Sequence, residues 1–214
     1  MTLALNEVDA MGKKAARGAG FSWGMAEEAG KAARWLCARG VDGVAALRLA
    51  LAHVDGTDPP GRGPATLEGN WSAARGDLCP LMTGAALADA ARLWVGTGKR
   101  IAAIVAPVLL LPFVAMAAGR AGRTIAVEWA GVRALTDGRD LQLSGAGPAV
   151  MAEVTARVAV LTGGVLTDPR PIQTRANPRP DDWTELDALA RRTYAPETER
   201  SRLRGAGAGL TDND

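Results

Sequence analysis

The sequence predicts an α+β fold, with an N-terminal helical layer packed on a mostly antiparallel sheet and a C-terminal helix and arm. Three observations predict it. Residues 1–95 carry apolar side chains mainly at helical spacing. Residues 100–166 are strand-rich, and TIAVEWAG, VRALTDG and DLQLSGA alternate apolar and polar residues between turn signals. Residues 167–214 then read as a connector, a short helix and an Arg/Gly-rich tail. The 214 residues are read as one domain, 48% hydrophobic and 22% charged, a composition that folds rather than stays disordered. Chains of this size bury about 70% of their unfolded surface.

The first helix is expected from Asn6 to Arg17, with Asn6 as cap, Glu7 and Asp9 in the first turn, and Lys13, Lys14 and Arg17 in the last. That charge order suits the helix dipole. Val8, Met11 and Ala15 define its buried stripe, and Gly18 and Gly20 end it. A second helix runs from Trp23 to Arg39 behind Ser22, with Glu27 and Lys31 as an i,i+4 pair, and a third from Gly43 to His53. After the turn-forming stretch 55–66, a helix is expected over Thr83–Trp94, a strand over Ile101–Ala106 and a helix from Pro112 to Gly119–Gly122. VTARVAVL gives a further strand, TDPRPIQTRANPRPDD a connector, and Trp183–Arg192 a helix capped by Asp182.

Composition excludes several functions. Net charge is +2 and the isoelectric point is near 8.8, too mild for the concentrated basic face of a nucleic-acid binder. The third helix, VAALRLALAH, also lacks the polar residues that read base edges. Cys37 and Cys79 lie far apart and His53 is the only histidine, so no disulfide framework and no metal site is expected. Asp137, Asp140 and Glu153 lack any metal-loop spacing. Ser22, Ser72, Ser144 and Ser201 have only His53 as a base, in an apolar helix, which argues against serine nucleophile chemistry. MTLALNEVDA turns polar at once, unlike a signal peptide, which points to a cytoplasmic protein. The uncharged run Ile101–Gly119 approaches spanning length, but Pro107 and Pro112 interrupt it and basic residues flank both ends. It is read as core, not membrane.

Two constellations remain. In the first, residues 13–35, a basic helix end meets a glycine turn and a new helix N-terminus, where Lys14 and Arg17 would hold an anion. Trp23 would wall the site, and Glu27 is the candidate base if a proton moves. The bland reading is a helix-to-helix turn beside a solvated charged face. GAGFSWG follows a helix rather than a strand, so it is no dinucleotide fingerprint, and GTGKR lacks the full phosphate-loop spacing. No cofactor is expected. In the second, residues 193–214, Tyr194 precedes a cluster with Arg202 and Arg204 and three alternate glycines. Arginines there suit carboxylate or phosphate capture. A frayed terminus and an arm packed on a second copy are the other readings.

LNEVDAMGKKAARGAGFSWGMAEEAGKAARWL at 5–36, PVLLLPFVA at 107–115 and the TYAPETERSRLRGAGAGLTDND terminus resemble a bacterial family of uncharacterised proteins, a domain of unknown function. The resemblance implies which segments belong together and transfers no activity. The leading expectation is a protein that binds a small anionic metabolite, with metal-independent turnover if it is an enzyme. The alternative is a non-catalytic accessory or oligomerisation protein whose tail docks on a partner or its own twin.

Overall fold

A computed structural model describes residues 1–194. In chain order these form β1 (Leu3–Ala4), α1 (Leu5–Gly18), α2 (Trp23–Cys37), α3 (Gly43–Val54), α4 (Pro80–Asp89), α5 (Ala91–Trp94), β2 (Lys99–Ile101) and β3 (Ile104–Val105). There follow α6 (Leu111–Ala121), β4 (Ile125–Trp129), β5 (Val132–Thr136), β6 (Leu141–Ser144), α7 (Gly147–Val150), β7 (Val154–Thr155), β8 (Val158–Thr162), β9 (Arg175–Ala176) and α8 (Pro180–Arg191). Helices and a mostly antiparallel sheet are both present, so the fold is α+β as the sequence predicts.

The helical layer centres on α1, which lies between α2 and α8. Small residues set these distances. A Cβ on Gly12 would sit 3.0 Å from Gly30 Cα, and one on Gly18 would sit 1.8 Å from Leu189 O. Only glycine lets the backbones come so close. The five-stranded sheet has the order β2-β8-β4-β5-β6, every pairing antiparallel. Helix α6 packs on β4 and β5 and touches α2, joining the sheet to the helical layer. One buried apolar cluster runs from Leu3 through Leu47, Trp94 and Val127 to Ala190.

Several boundaries follow local chemistry. Ser22 caps α2 by accepting from the Met25 N–H at 3.4 Å, and Gly122 (φ +59°) ends α6 in the left-handed region. Others depart from expectation. Asn6 does not cap α1: the helix begins at Leu5, and the Glu7 carboxylate accepts from the Ala4 N–H at 2.6 Å. The expected helix over 83–94 is two, because Pro80 starts α4 earlier and Ala90 leaves helical geometry before α5. The expected strand 101–106 is split into β2 and β3, with Ala106 at φ +40° opening a 3₁₀ turn at Pro107–Leu110.

The connector also holds an element unseen in the sequence. Its Arg175–Ala176 forms β9 against β1 and ties the two ends of the described chain together. Asp182 is not a cap but a buried first-turn residue of α8, paired with Arg48 of α3 at 2.7 Å. Among the described residues no helix is long and apolar enough to cross a membrane, and Val108–Val114 is buried core.

Candidate functional site

Tryptophans serve mainly as anchors in this fold. Trp71, Trp94 and Trp129 are buried, and the Trp94 and Trp129 indoles donate to Leu87 O and Ala149 O, each at 3.0 Å. Trp23 is the exception, 60% exposed at the start of α2. Two cations from α1 account for its position. Arg17 Cζ lies 5.0 Å from the Trp23 ring centroid and Lys13 Nζ 5.8 Å from it. Arg17 is steered there by donating from Nη1 to Phe21 O at 2.5 Å.

Lys13 also bridges to Glu27 at 2.6 Å, and Lys31 pairs with Glu28 at 2.9 Å. The expected Glu27–Lys31 pair is therefore replaced. The close α1–α2 approach at Gly12 and Gly30 presents Lys13 to Glu27, a partner from another helix that no i,i+4 rule supplies. Glu27 is exposed, and its hydrogen bond with Lys13 holds its pKa below the ordinary carboxylate value. A carboxylate so placed holds its proton weakly, the reverse of what burial does for a general base.

Lys14 turns to the other flank of α1. Its Nζ lies 5.5 Å from the Tyr194 ring centroid, and Tyr194 is 55% exposed. The structure thus brings Tyr194 of the second constellation to Lys14 of the first. Arg202 and Arg204 lie outside the described residues.

The electrostatics single out two residues. Lys13, Lys31, Arg34, Arg48 and Arg191, the other Lys and Arg residues of α1, α2, α3 and α8, each pair with a carboxylate. Among the described residues, Lys14 and Arg17 alone on these helices have no such partner within 4.0 Å. The sequence marks both as cations but does not reveal that the surrounding charges are matched.

Other reactive groups are quiet. Burial raises the pKa of Cys37 and pushes that of Cys79 up to about 11. The His53 Nε2 lies 3.4 Å from Arg62 Nη1. Among the described residues no three His, Cys, Asp or Glu side chains gather as a metal site.

No curated protein and no solved structure matches the chain. Residues 3–69, which span α1, α2, α3 and the first of the two basic–aromatic constellations, match the model of a family described as "Protein of unknown function (DUF3726)".

Proposed function

We propose that the protein binds a small anionic ligand at the end of α1, through Arg17 with Trp23 on one flank and Lys14 with Tyr194 on the other. The observation that carries this is the pairing pattern: on four helices of matched charges, Lys14 and Arg17 have no carboxylate partner among the described residues and stand against the exposed rings of Tyr194 and Trp23, with Arg17 Nη1 also donating to Phe21 O. A guanidinium over an indole is oriented yet free to take a carboxylate or phosphate oxygen. Trp23 serves as a wall for the apolar part of the ligand. Arg202 and Arg204, which lie outside the described residues, are assigned as further anion contacts on the chemistry of their guanidinium groups alone. Glu27 binds Lys13 rather than acting as a base, and the reading is one of binding, without an assigned catalytic residue. A cytoplasmic setting belongs to this same reading.

The test is a thermal-shift titration with inorganic phosphate, citrate and pyruvate. A saturable stabilisation should appear with at least one of them, fall away in Lys14→Ala and Arg17→Ala, and persist in Lys99→Ala. Equal shifts in all variants would sink the reading.

A second reading, an accessory or oligomerising protein, is favoured by the exposure of two large rings, Trp23 at 60% and Tyr194 at 55%. Deletion of residues 200–214 and Trp23→Ala would then lower the oligomer mass in solution while leaving anion-induced shifts intact.

A further inference from the structure

A second place in the fold presents apolar side chains to water in a concave setting. It lies on β2, an edge strand of the sheet. The loop through Trp71 closes the outer side of β2: the Trp71 N–H donates to Arg100 O and the Ala102 N–H to Trp71 O, both at 2.8 Å. Lys99 pins that loop. Its Nζ donates to Leu67 O at 3.2 Å and Gly69 O at 3.1 Å and stands 5.0 Å from the Trp71 ring centroid. The GTGKR motif thereby finds its role. Gly96 (φ +106°) and Gly98 (φ +79°) make the tight turn that lays Lys99 and Arg100 on the sheet edge, and a Cβ on Gly98 would sit 2.9 Å from Val160 O.

Between the 67–70 loop, this turn and β8 lies a cleft of about 730 Å³. Small-molecule sites generally span roughly 300–1,000 Å³. Leu67, Leu93 and Leu161 line the cleft and are 45%, 64% and 42% exposed. A single exposed leucine is ordinary, whereas three converging on one hollow mark a surface that meets an apolar group. Arg100 opposes Ala159 in the β2–β8 register, so it shares a sheet face with Leu161, two residues further along. With the Lys99 ammonium engaged by carbonyls, Arg100 is the cation of this cleft without a carboxylate partner among the described residues. Glu68 also lines the cleft and opposes multiply charged anions.

We propose that this cleft binds a singly charged anionic amphiphile, its carboxylate on Arg100 and its aliphatic chain across Leu67, Leu93 and Leu161. The site is separate from the Lys14–Arg17 surface and stands without it.

The probe is sodium octanoate below its micellar concentration, titrated into the full chain by calorimetry, with acetate, octanol and inorganic phosphate alongside. Octanoate should bind saturably, and Arg100→Gln and the pair Leu93→Ala/Leu161→Ala should each weaken it about ten-fold or more. All three positions are exposed, so circular dichroism melts should match the wild type. Arg17→Ala should leave octanoate affinity unchanged, which separates this site from the first. Phosphate binding as tightly as octanoate would reduce the cleft to a bare anion site, and octanol binding as tightly would reduce it to an apolar groove. Either result overturns the proposal, as does unchanged octanoate affinity in both variants or no octanoate binding at all.

Discussion

Lys14 and Tyr194 connect the two ends of the described chain: the ammonium of α1 stands 5.5 Å from the centroid of the ring that follows α8. The contact depends on α8 lying along α1 at Gly18, where no side chain keeps the helices apart. An exposed cation–π pair is worth about 0.5–1 kcal/mol. Tyr194→Ala should therefore lower the melting temperature by about 1–4 °C, and Tyr194→Phe, which keeps the ring, should not. Scanning calorimetry on the two variants separates the ring from the hydroxyl.

The helix crossings make a sharper prediction. A Cβ on Gly18 would sit 1.8 Å from Leu189 O, and one on Gly30 would sit 2.4 Å from Asp9 O, both backbone atoms that cannot swing away. Gly18→Ala and Gly30→Ala should each cost about 1–3 kcal/mol through forced separation of the helices. Gly24, also helical, has nothing within 4 Å of the same added carbon. Gly24→Ala should instead stabilise by about 0.5 kcal/mol through helix propensity. Urea denaturation of the three variants gives the comparison directly.

What could be read from the sequence was the part written in local chemistry. Ser22 announces the α2 start, Gly122 the end of α6, and the alternation in IAVEW and VRALT the β4–β5 hairpin. The nearness of Arg17 to Trp23 was legible because both fall within one helix–turn–helix segment, whereas the partners of Lys13 and Lys14, Glu27 and Tyr194, were not. What was hidden rests on distant partners. The β1–β9 pairing is two residues long and has no period to detect. Asp182 sits where a cap would be expected, and only the position of Arg48 explains why it is buried. The β2 cleft depends on Leu67, Leu93 and Leu161, three leucines that are individually unremarkable in sequence.

The Arg48–Asp182 pair is itself a test of that last kind of contact. Asp182 is 7% exposed, and its Oδ1 lies 2.7 Å from Arg48 Nε, an ion pair without an aligned hydrogen bond. Glu185 approaches Arg48 Nη1 at 3.3 Å from the solvent side. Removing one partner leaves the other poorly solvated, so Arg48→Ala and Asp182→Ala should each cost about 2–3 kcal/mol. Arg48→Met combined with Asp182→Leu should recover most of the loss, because an apolar pair carries no desolvation penalty. A double-mutant cycle in urea reads the coupling.

Acid should weaken the fold in a defined window. Hydrogen bonding to Arg192 holds Asp55 below 3.8, and Lys13 holds Glu27 below 4.5. Asp137 is held below 3.8 chiefly by the Asp140 N–H, which donates to it at 2.8 Å. A carboxylate with a depressed folded pKa stabilises fully above its unfolded pKa, and that stabilisation is lost as pH falls through the folded value. The melting temperature should stay flat from about pH 7 to 5 and fall below about pH 4. The pairs of Asp55 and Glu27 are solvent-exposed, so Asp55→Asn should flatten the acid slope only slightly and salt should shrink the difference.

The two cysteines should separate by access and by proton affinity. Cys79 is fully buried at the start of α4, and burial pushes its pKa up to about 11, outweighing the lowering effect of the Met82 and Leu81 backbone amides. Desolvation outweighs the helix terminus there, so thiolate is scarce at neutral pH. Cys37 is 5% exposed, and burial raises its pKa as well, but it lines a cleft of about 230 Å³ with Asp42 and Arg175. With a disulfide reagent at pH 7.5, Cys37 should react slowly through the cleft and accelerate as the pH rises to 9. Cys79 should react only through unfolding, with a rate that climbs steeply with added urea. The single variants Cys37→Ser and Cys79→Ser assign the two phases. A urea-independent rate for Cys79 would instead place a local opening at the start of α4.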